Sequence, residues 1–456
     1  MSTPDFSSRN WLVGIWIALA GCLVVALQVT GRLHPQQVPD SPSYLEFPFD
    51  SFAAALKSIR TPVYPAILEL FELTGAMSLL PHFQLLVHLI ACAMLALGFS
   101  KIGIPRWQTF LMAAASLLSI TLWFNVNLIS TDSLAVSMSL ITCSLLLMYC
   151  NTRSPCLLLA ISLMSIVTIL CRPAYLFLVG FLPAAAALIW RDEGLSWTQT
   201  LRRCCVLFFA SLAPVVIYSL IRLVVVGQFG VVAFGSQNLA GVTVQFMDQE
   251  IVQQLPADKK AFAQHVLDSR IDWYAEHPAL SEGMGYQTME DRWNAMIYEV
   301  VVPTARRDFG DDVLRQHAEI SSLNREIILR KPIAYAIWIA KAVRQTVRIA
   351  LAHIGLHPPF FVCLLVGIVA LILLPLCRRD ADRCVSAILV PEEVTRANVL
   401  TLAFALLYCV LGMIPVVLTS APLGRFVDAV TVLIPGAIAV LLSHHLASVL
   451  RNYRGS

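Results

Sequence analysis

A succession of long apolar runs constrains the fold of this chain more than any other feature. Each run is long enough to cross a bilayer as a helix, which takes about 20 residues. Hydrophobic residues make up 58% of the chain and charged residues only 13%, which is outside the range of soluble domains. The sequence predicts an all-α polytopic membrane protein with about ten transmembrane helices, at 11–30, 82–100, 107–127, 132–150, 155–171, 173–190, 203–226, 358–377, 398–418 and 425–446.

The basic residues predict which side of the membrane each connection faces. Connections rich in Lys and Arg lie on the cytoplasmic side. With a cytoplasmic N-terminus, every short inner connection is basic, and the C-terminus is cytoplasmic as well. The first run is longer than the apolar part of a signal peptide, so we expect it to be a retained anchor. The outer parts are then 31–81, 128–131, 228–356 and 419–424.

The distribution of charge divides the chain into three predicted parts. Residues 1–227 form an N-terminal transmembrane module that contains the first outer loop, 31–81. Residues 228–356 form a charged, mostly helical outer domain, and residues 357–456 form the C-terminal transmembrane helices. The net charge is +3 and the basic residues are scattered over short turns, so no nucleic-acid partner is expected.

Local patterns predict individual helices in the outer parts. Residues 49–75 predict two short helices that lie along the outer interface, because neither is long enough to span. In the outer domain, an amphipathic helix is predicted after Pro256, and two further helices meet near Pro332. The stretch "GSQNLAGVTVQF", residues 235–246, is typical of a loop.

Ionisable residues gather at one depth, beside the outer leaflet. They come from the first outer loop, the outer ends of spans four and seven, the break between spans five and six, and the start of the last span. Ionisable groups at membrane level are costly and are therefore functional candidates. The set is Asp40, Glu46, Asp50, Arg60, Asp132, Arg172, Arg222, Arg425 and Asp428.

Several members of this set also have a structural explanation when each is considered alone. Asp132 follows two hydroxyl residues and could cap span four. Arg172 and Arg222 could extend to the interface, which is what we expect of Arg222. Arg425 could pair with Asp428 across one helical turn. The shared depth and mixed charge favour a function, because arginines bind phosphate and a carboxylate can deprotonate a hydroxyl.

Five stretches of the chain together resemble a known family. They are "DSPSYL", "RTPVYPAILEL", "LISTDSLAVSMSL", "LCRPAYLFL" and "GRFVDAVTVLIP". Their order and membrane side resemble the GT-C superfamily of polyprenyl-phosphate-sugar-dependent glycosyltransferases, near its protein-mannosyltransferase and aminoarabinose-transferase branch. The resemblance covers most of the chain, although residues 228–356 match in position only. One departure is Ser41 after Asp40, where some relatives carry a second acid.

The resemblance implies a GT-C-like fold and an inverting sugar transfer on the outer face of the membrane. The donor would be a sugar on a polyprenyl phosphate, and the acceptor would be a hydroxyl of a lipid, a glycan or a protein. Asp40 would act as the general base, and Asp132 would orient the acceptor or a metal. The candidates to stabilise the leaving phosphate are Arg60, Arg172 and Arg425. The expected location is a bacterial inner membrane, with a periplasmic active site among membrane lipids.

Further candidates for contact with the sugar or the acceptor are Tyr44, Glu46, Tyr64 and Asp428. For the two tyrosines, the sequence favours anchoring at the membrane interface over contact with the sugar. No cofactor is certain. The sequence contains no His/Cys ligand set, and a carboxylate-bound Mg²⁺ or Mn²⁺ is left open.

Two other classes of function compete with sugar transfer. A transporter would place polar residues near the bilayer midplane and is usually built from repeats, and the spans here are nearly free of midplane charge. His88 in span two is the exception, and we expect it to be hydrogen-bonded in packing. A polysaccharide ligase or polymerase would place its chemistry in the late outer loop, at Arg306, Arg307, His317 or Arg325.

Overall fold

Helices make up the regular structure of the chain. A computed structural model describes residues 9–282, 286–356 and 392–443, together with residues 365, 368 and 369. All named elements in these residues are helical. The first outer loop is joined to the turn before span four by an isolated bridge between Gln36 and Leu128. The described residues therefore agree with the predicted all-α class.

The helices are numbered here in chain order. The N-terminal part contains α1 (Arg9–Val29), α2 (Pro42–Leu45), α3 (Phe52–Lys57), α4 (Val63–Leu73), α5 (Leu80–Lys101), α6 (Arg106–Leu117), α7 (Ile120–Asn125), α8 (Asp132–Thr152), α9 (Pro155–Cys171), α10 (Leu178–Asp192) and α11 (Trp197–Val226). The middle part contains α12 (Gly235–Thr243), α13 (Gln249–Gln254), α14 (Ala257–Glu276), α15 (Pro278–Glu282), α16 (Tyr286–Ala295), α17 (Val302–Phe309), α18 (Val313–Arg330) and α19 (Pro332–Leu356). The C-terminal part contains α20 (Glu392–Thr419), α21 (Gly424–Thr431) and α22 (Ile434–Ser443).

Among the described residues, 7 helical segments are long and apolar enough to cross a membrane, or up to 8 if the bent pair α21 and α22 is one span. The helix α9 is apolar but has only 17 residues. Outside the described residues lie the predicted span 358–377, except for residues 365, 368 and 369, together with Arg378, Arg379, Arg383 and the C-terminal stretch 444–456. The chain is thus a membrane protein with several spans, and the count of ten stays a prediction.

The break between α9 and α10 places a charged residue at the end of the bundle. α9 ends at Cys171, Arg172 has an extended backbone, and a 3₁₀ turn, Pro173–Phe177, leads into α10. A proline disfavours helical geometry in the residue before it, so the Arg-Pro pair ends the helix here. The side chain of Arg172 is left beside the start of α8 rather than inside a continuous span.

The first outer loop is built from α2, α3 and α4. The two short helices predicted from residues 49–75 are present as α3 and α4. Ser51 caps α3, because its hydroxyl accepts the backbone N–H of Ala54 at 3.1 Å. After α4, Gly75 takes a positive φ of 65°, which glycine adopts without strain, and turns the chain toward α5.

Arg222 ties this loop to the outer domain, and the expectation that its side chain extends to the interface is wrong. The residue is 1% exposed. It donates hydrogen bonds to the carbonyl oxygens of Leu56 at 3.1 Å and Gly230 at 2.7 Å, and to the side-chain oxygen of Gln228 at 3.0 Å. A buried guanidinium needs such acceptors. Leu56 belongs to the first outer loop, and Gln228 and Gly230 belong to the start of the outer domain.

The outer domain has an apolar core of its own. Buried side chains from residues 240–327 form this core, which is separate from the core of the transmembrane bundle. The helix predicted after Pro256 is present as α14, and the two predicted to meet near Pro332 are α18 and α19. Asp312 caps α18 by accepting two backbone N–H groups of its first turn.

The stretch 235–246 is helical, where the sequence predicts a loop. It forms α12 and a following 3₁₀ turn, Val244–Phe246. Its glycines lower helix propensity, but Gly241 allows a close contact, since a side-chain atom of Trp293 lies 2.7 Å from where a Cβ would stand. Tertiary packing outweighs local propensity here, and the prediction of a loop is wrong.

Gly412 provides a test of how tightly α20 packs on α21. A Cβ at this position would lie 2.5 Å from Cγ1 of Val430, so a methyl group cannot enter without moving one helix. We expect Gly412→Ala to destabilise the chain by about 1–3 kcal/mol through overpacking. Thermal unfolding in detergent measures this effect. Gly180→Ala is the matched control, because nothing lies within 4 Å of its Cβ position, and an equal loss there would contradict the explanation.

Candidate functional site

Charged residues from distant parts of the chain line one cavity of about 290 Å³. The cavity lies where α8 and α21 begin and where α9 and α20 end, so it is at one end of the transmembrane bundle. Six of the residues predicted from the sequence line it: Asp40, Tyr44, Arg60, Asp132, Arg172 and Arg425. The structure therefore brings together the core of the predicted set.

Asp40 is held by two arginines from opposite ends of the chain. Its Oδ1 accepts from Nη2 of Arg60 at 2.9 Å, and its Oδ2 accepts from Nη1 of Arg425 at 3.1 Å. Burial alone would raise the pKa of the Asp40 carboxyl, but the charges and hydrogen bonds of Arg60 and Arg425 outweigh it and hold the pKa below its ordinary value of 3.8. The carboxyl is consequently ionised near neutral pH.

Arg60 is fixed in place by several contacts besides Asp40. Its Nε donates to the hydroxyl of Ser43 at 2.7 Å, and its Nη1 donates to the hydroxyl of Tyr44 at 3.0 Å. Its guanidinium also lies near the rings of Tyr44, at 4.3 Å, and Phe234, at 5.5 Å. All three nitrogen atoms are engaged, so Arg60 orients the carboxylate more than it reaches into the cavity.

Asp132 and Arg172 form a second ion pair on the wall of the cavity. Asp132 is the first residue of α8 and is 3% exposed, and its carboxylate accepts a hydrogen bond from Nη1 of Arg172. The explanation of Asp132 as the cap of span four does not hold, because Thr131 occupies the cap position. Its negative charge still suits a helix N-terminus. The guanidinium of Arg172 also lies 5.3 Å from the ring of Phe426.

Arg425 and Asp428 do not pair with each other, which corrects the structural explanation offered for them. Arg425 binds Asp40, and its side chain is 41% exposed. Asp428 is buried, accepts from Nδ1 of His353 at 2.8 Å and lines a different, mostly apolar cavity of about 150 Å³. Asp428 therefore lies outside the main cavity, and its proposed contact with sugar or acceptor has no support from this geometry.

Three other candidates are also outside the cavity lining. Glu46 is exposed at the end of α2, and Asp50 is exposed as well. Tyr64 is fully buried behind Tyr44, and the two rings pack edge to face at 5.3 Å. Burial raises the pKa of both tyrosine hydroxyls. Tyr44 thus lines the cavity, and Tyr64 supports it from behind rather than anchoring at a water-exposed interface.

The outer domain supplies a wall that the sequence does not predict. Phe234 and Asn238 come from the start of α12, and Trp293 comes from α16. Tyr298 comes from a π-helical turn, Met296–Val301, and such turns are frequent at functional sites. The sequence signal for this wall is its aromatic content alone, which does not specify which residues meet the membrane module.

The residues proposed for the rival functions lie apart from this cavity. Arg306 and Arg307 are exposed and pair with acidic neighbours, and Arg325 is exposed. His317 is hydrogen-bonded to the hydroxyl of Ser236 at 2.6 Å. His88 is buried between the hydroxyl of Ser137 and the carbonyl of Ser116, as expected for a packing residue.

Metal binding was left open by the sequence. Across residues 9–282, 286–356 and 392–443, no three His, Cys, Asp or Glu side chains group as they would around a metal ion. Both carboxylates of the cavity, Asp40 and Asp132, are engaged by arginines. The carboxylate-bound Mg²⁺ or Mn²⁺ stays a prediction.

Long apolar helices with a charged cavity at one end of the bundle define an all-α polytopic membrane protein. No protein-family model, curated protein or solved structure matches the chain. Its function must be inferred from the residues of the cavity and their geometry.

The pH dependence of stability tests the ion pairs of Asp40. Its folded pKa lies below the unfolded value, so its contribution to stability is present above about pH 4 and is lost as the pH falls through the folded pKa. We expect Asp40→Asn to lower the unfolding temperature near neutral pH, and the difference from wild type to shrink in acid. Asp50→Asn, in the same loop but exposed, is the control. A difference that stays constant in acid would contradict the pairing.

A double-mutant cycle tests the buried pair of Asp132 and Arg172. Asp132→Asn leaves a buried guanidinium uncompensated, so we expect a loss of about 3–5 kcal/mol. Adding Arg172→Gln should recover part of this loss, which unfolding in detergent would detect. Asp311→Asn breaks an exposed pair and should have no measurable effect. Strictly additive effects of the two changes would show that the pair is not coupled.

Proposed function

We propose that the chain is an integral membrane glycosyltransferase of the GT-C type. It transfers a sugar from a polyprenyl-phosphate donor to an acceptor hydroxyl on the outer face of the membrane, with inversion. The observation that carries the proposal is the convergence of two carboxylates and three arginines on one cavity at the end of an apolar bundle. The membrane is a bacterial inner membrane, both chain termini are cytoplasmic and the cavity is periplasmic.

The balance of charge in the cavity suits an anionic donor. Among the residues that line the cavity, three guanidinium groups face two carboxylates, an excess of one positive charge. Arginine binds phosphate with a fixed fork of donors, and the surrounding walls are apolar and aromatic, as expected of a site for a small ligand. The phosphate of a lipid-linked sugar would supply the missing negative charge.

Arg425 is the arginine best placed to receive the phosphate. Arg60 is held by three partners and Arg172 by a buried carboxylate. Arg425 is the most exposed of the three, and among the described residues its side chain makes one hydrogen bond, to Asp40. It can leave that carboxylate without exposing an unpaired buried charge. The three arginines therefore differ in role, and Arg60 positions the base rather than binding the donor.

Movement of Arg425 to the phosphate would activate Asp40. In the resting arrangement, two guanidinium groups keep the pKa of this carboxyl low, which makes it a weak base. Loss of one of them raises the pKa toward the value that burial favours. Donor binding would thus raise the basicity of Asp40 at the point where the acceptor hydroxyl has to be deprotonated.

The chemical step is an inverting substitution at the anomeric carbon. The acceptor oxygen forms the new bond while its proton passes to Asp40, and the bond from the anomeric carbon to the phosphate oxygen breaks. The polyprenyl phosphate leaves with the bonding electron pair, and Arg425 with Arg172 stabilises its growing charge. Asp132 acts through Arg172 and the start of α8, and the acceptor enters against Tyr298 and Trp293.

Release of polyprenyl phosphate tests this function. Wild type and Asp40→Asn are reconstituted with membranes that supply acceptors, and a panel of polyprenyl-phosphate sugars is offered, with and without a chelator. Mass spectrometry follows donor loss and free polyprenyl phosphate. We expect one sugar to be consumed by wild type, with the rate reduced by about 10²–10⁴-fold in Asp40→Asn.

Two control variants make the outcome specific. Asp50→Asn, which is exposed and outside the cavity, should keep the wild-type rate. His317→Gln separates this mechanism from a ligase that uses the late outer loop, because it should also keep the rate. Normal turnover by Asp40→Asn would overturn the proposed base. Donor movement across the membrane without release of polyprenyl phosphate would favour a transporter.

A further inference from the structure

The outer domain lines the cavity around Asp40 with uncharged residues alone. Among the described residues, its contribution is Val232, Phe234, Gly235, Asn238, Trp293 and Tyr298. The charged residues of the lining all come from the first outer loop and the transmembrane bundle. A charged group loses hydration in such a cavity and needs a partner, so the part of a ligand that meets the outer domain is neutral.

Asn238 presents this wall with a hydrogen-bond acceptor that has no donor. Its side-chain Oδ1 is shielded from water and accepts no hydrogen bond among the described residues. Its backbone is held in place, because the carbonyl oxygen accepts from the indole N–H of Trp293 at 2.9 Å. A buried polar atom without a partner is uncommon and calls for an explanation. A ligand group that donates a hydrogen bond would satisfy this oxygen.

The charge of the cavity narrows the choice of the donating group. Hydroxyl, amide and ammonium groups all donate hydrogen bonds. Three arginines and two carboxylates line the cavity, so an ammonium group would enter against an excess of positive charge. The group that meets Asn238 is therefore a neutral donor.

Tyr298 adds an aromatic surface beside the proposed base. The residue is 48% exposed and lines the cavity. Burial raises the pKa of its hydroxyl, and the charge of Asp40 raises it further, whereas Arg60 and Arg425 lower it. Of these three charges, that of Asp40 acts most strongly on Tyr298. The base must contact the hydroxyl that it deprotonates, so a surface beside it meets the acceptor.

Close packing holds these residues in one surface. A Cβ at Gly241 of α12 would lie 2.7 Å from a side-chain atom of Trp293 and 2.8 Å from one of Ile297, the residue before Tyr298. Trp293 is only 3% exposed, so it supports the wall instead of offering a face to a ligand. The amide of Asn238 and the ring of Tyr298 are thus positioned before a ligand arrives, which lowers the entropic cost of binding.

A saccharide ring matches this combination of an aromatic ring and a hydrogen-bond acceptor. One face of a pyranose carries C–H groups that pack on an aromatic ring, and its rim carries several hydroxyls. A serine or threonine side chain has one hydroxyl, which is the group that Asp40 must deprotonate, and it has no ring to cover Tyr298. An acyl chain has no donor for Asn238.

We propose that Asn238 and Tyr298 form a subsite for a saccharide acceptor, whose ring packs on Tyr298 while one of its hydroxyls donates to Oδ1 of Asn238. The inference rests on the sugar transfer proposed above and assigns the acceptor to the carbohydrates. A second hydroxyl of the same ring faces Asp40. Its oxygen bonds to the anomeric carbon of the donor and its proton passes to Asp40, while the polyprenyl phosphate leaves with the electron pair of the broken bond.

Binding of saccharides to the purified full chain, without donor, is the first test. Saturation-transfer-difference NMR in detergent uses the methyl glycosides of glucose, galactose, mannose and N-acetylglucosamine as probes, with a blocked threonine peptide for comparison. We expect saturation of the ring C–H protons of at least one glycoside. Asn238→Leu should weaken its binding about tenfold, because the hydrogen bond is lost. Binding of none of the glycosides would overturn the subsite.

Conservative variants and a matched control make the binding test specific. Asn238→Asp keeps an acceptor oxygen and Tyr298→Phe keeps the ring, so both should retain binding. Asn294→Leu makes the same change in the outer domain at a position outside the cavity lining, and it should bind as wild type does. Equal loss in Asn294→Leu and Asn238→Leu would contradict the subsite. Tyr298→Ala, at an exposed position, should also weaken binding and serves if Asn238→Leu does not fold.

Turnover separates this inference from the proposed function. Release of polyprenyl phosphate is measured against the concentration of the glycoside and of the donor. Asn238→Leu should raise the KM for the glycoside about tenfold and leave the KM for the donor unchanged. A raised KM for the donor alone would overturn the assignment to the acceptor, and stimulation by the threonine peptide alone would show a protein acceptor. Specific binding of a glycoside without consumption of any donor would overturn the transfer and leave the saccharide subsite standing.

Discussion

In the resting structure, the arrangement of the cavity depends on the ion pair between Asp40 and Arg425. The two residues are 385 positions apart along the chain, so this one interaction joins the first outer loop to the last described helices. Arg60 binds the same carboxylate from within the loop and is itself held by Ser43 and Tyr44. Together these contacts fix the loop over the end of the bundle, where a carboxylate without partners would be costly.

The membrane as solvent explains why the buried charges at this level have partners. Asp132 and Arg172 neutralise each other on the wall, and Arg222 is satisfied by carbonyl groups instead of a carboxylate. Away from water, the free energy of an unpaired charge is far larger than that of a pair with good geometry. The surplus cation is the partly exposed Arg425, which is where a charged ligand can approach.

The sequence predicts the membrane class and the charged residues of the cavity, because both rest on strong local signals. Charges are rare at the ends of apolar runs, so Asp132 and Arg172 stand out, and proline marks the break beside Arg172. The sequence does not predict which acidic residue pairs with which basic residue. Asp428 is one turn from Arg425, and yet it faces His353 on another helix, because the direction of a helical side chain depends on how the whole helix is packed.

The outer domain shows the limit of local patterns most clearly. The stretch 235–246 contains two glycines and is typical of a loop, but Gly241 is there to admit the ring of Trp293, and the resulting contact makes the segment helical. The same tryptophan forms part of the wall of the cavity that contains Asp40. It also belongs to an apolar cluster with Trp338. A residue chosen for close packing thus positions Trp293, which lines the cavity. The shape of the cavity therefore depends on a position that carries no chemistry of its own, and no pattern in the neighbouring sequence reveals it.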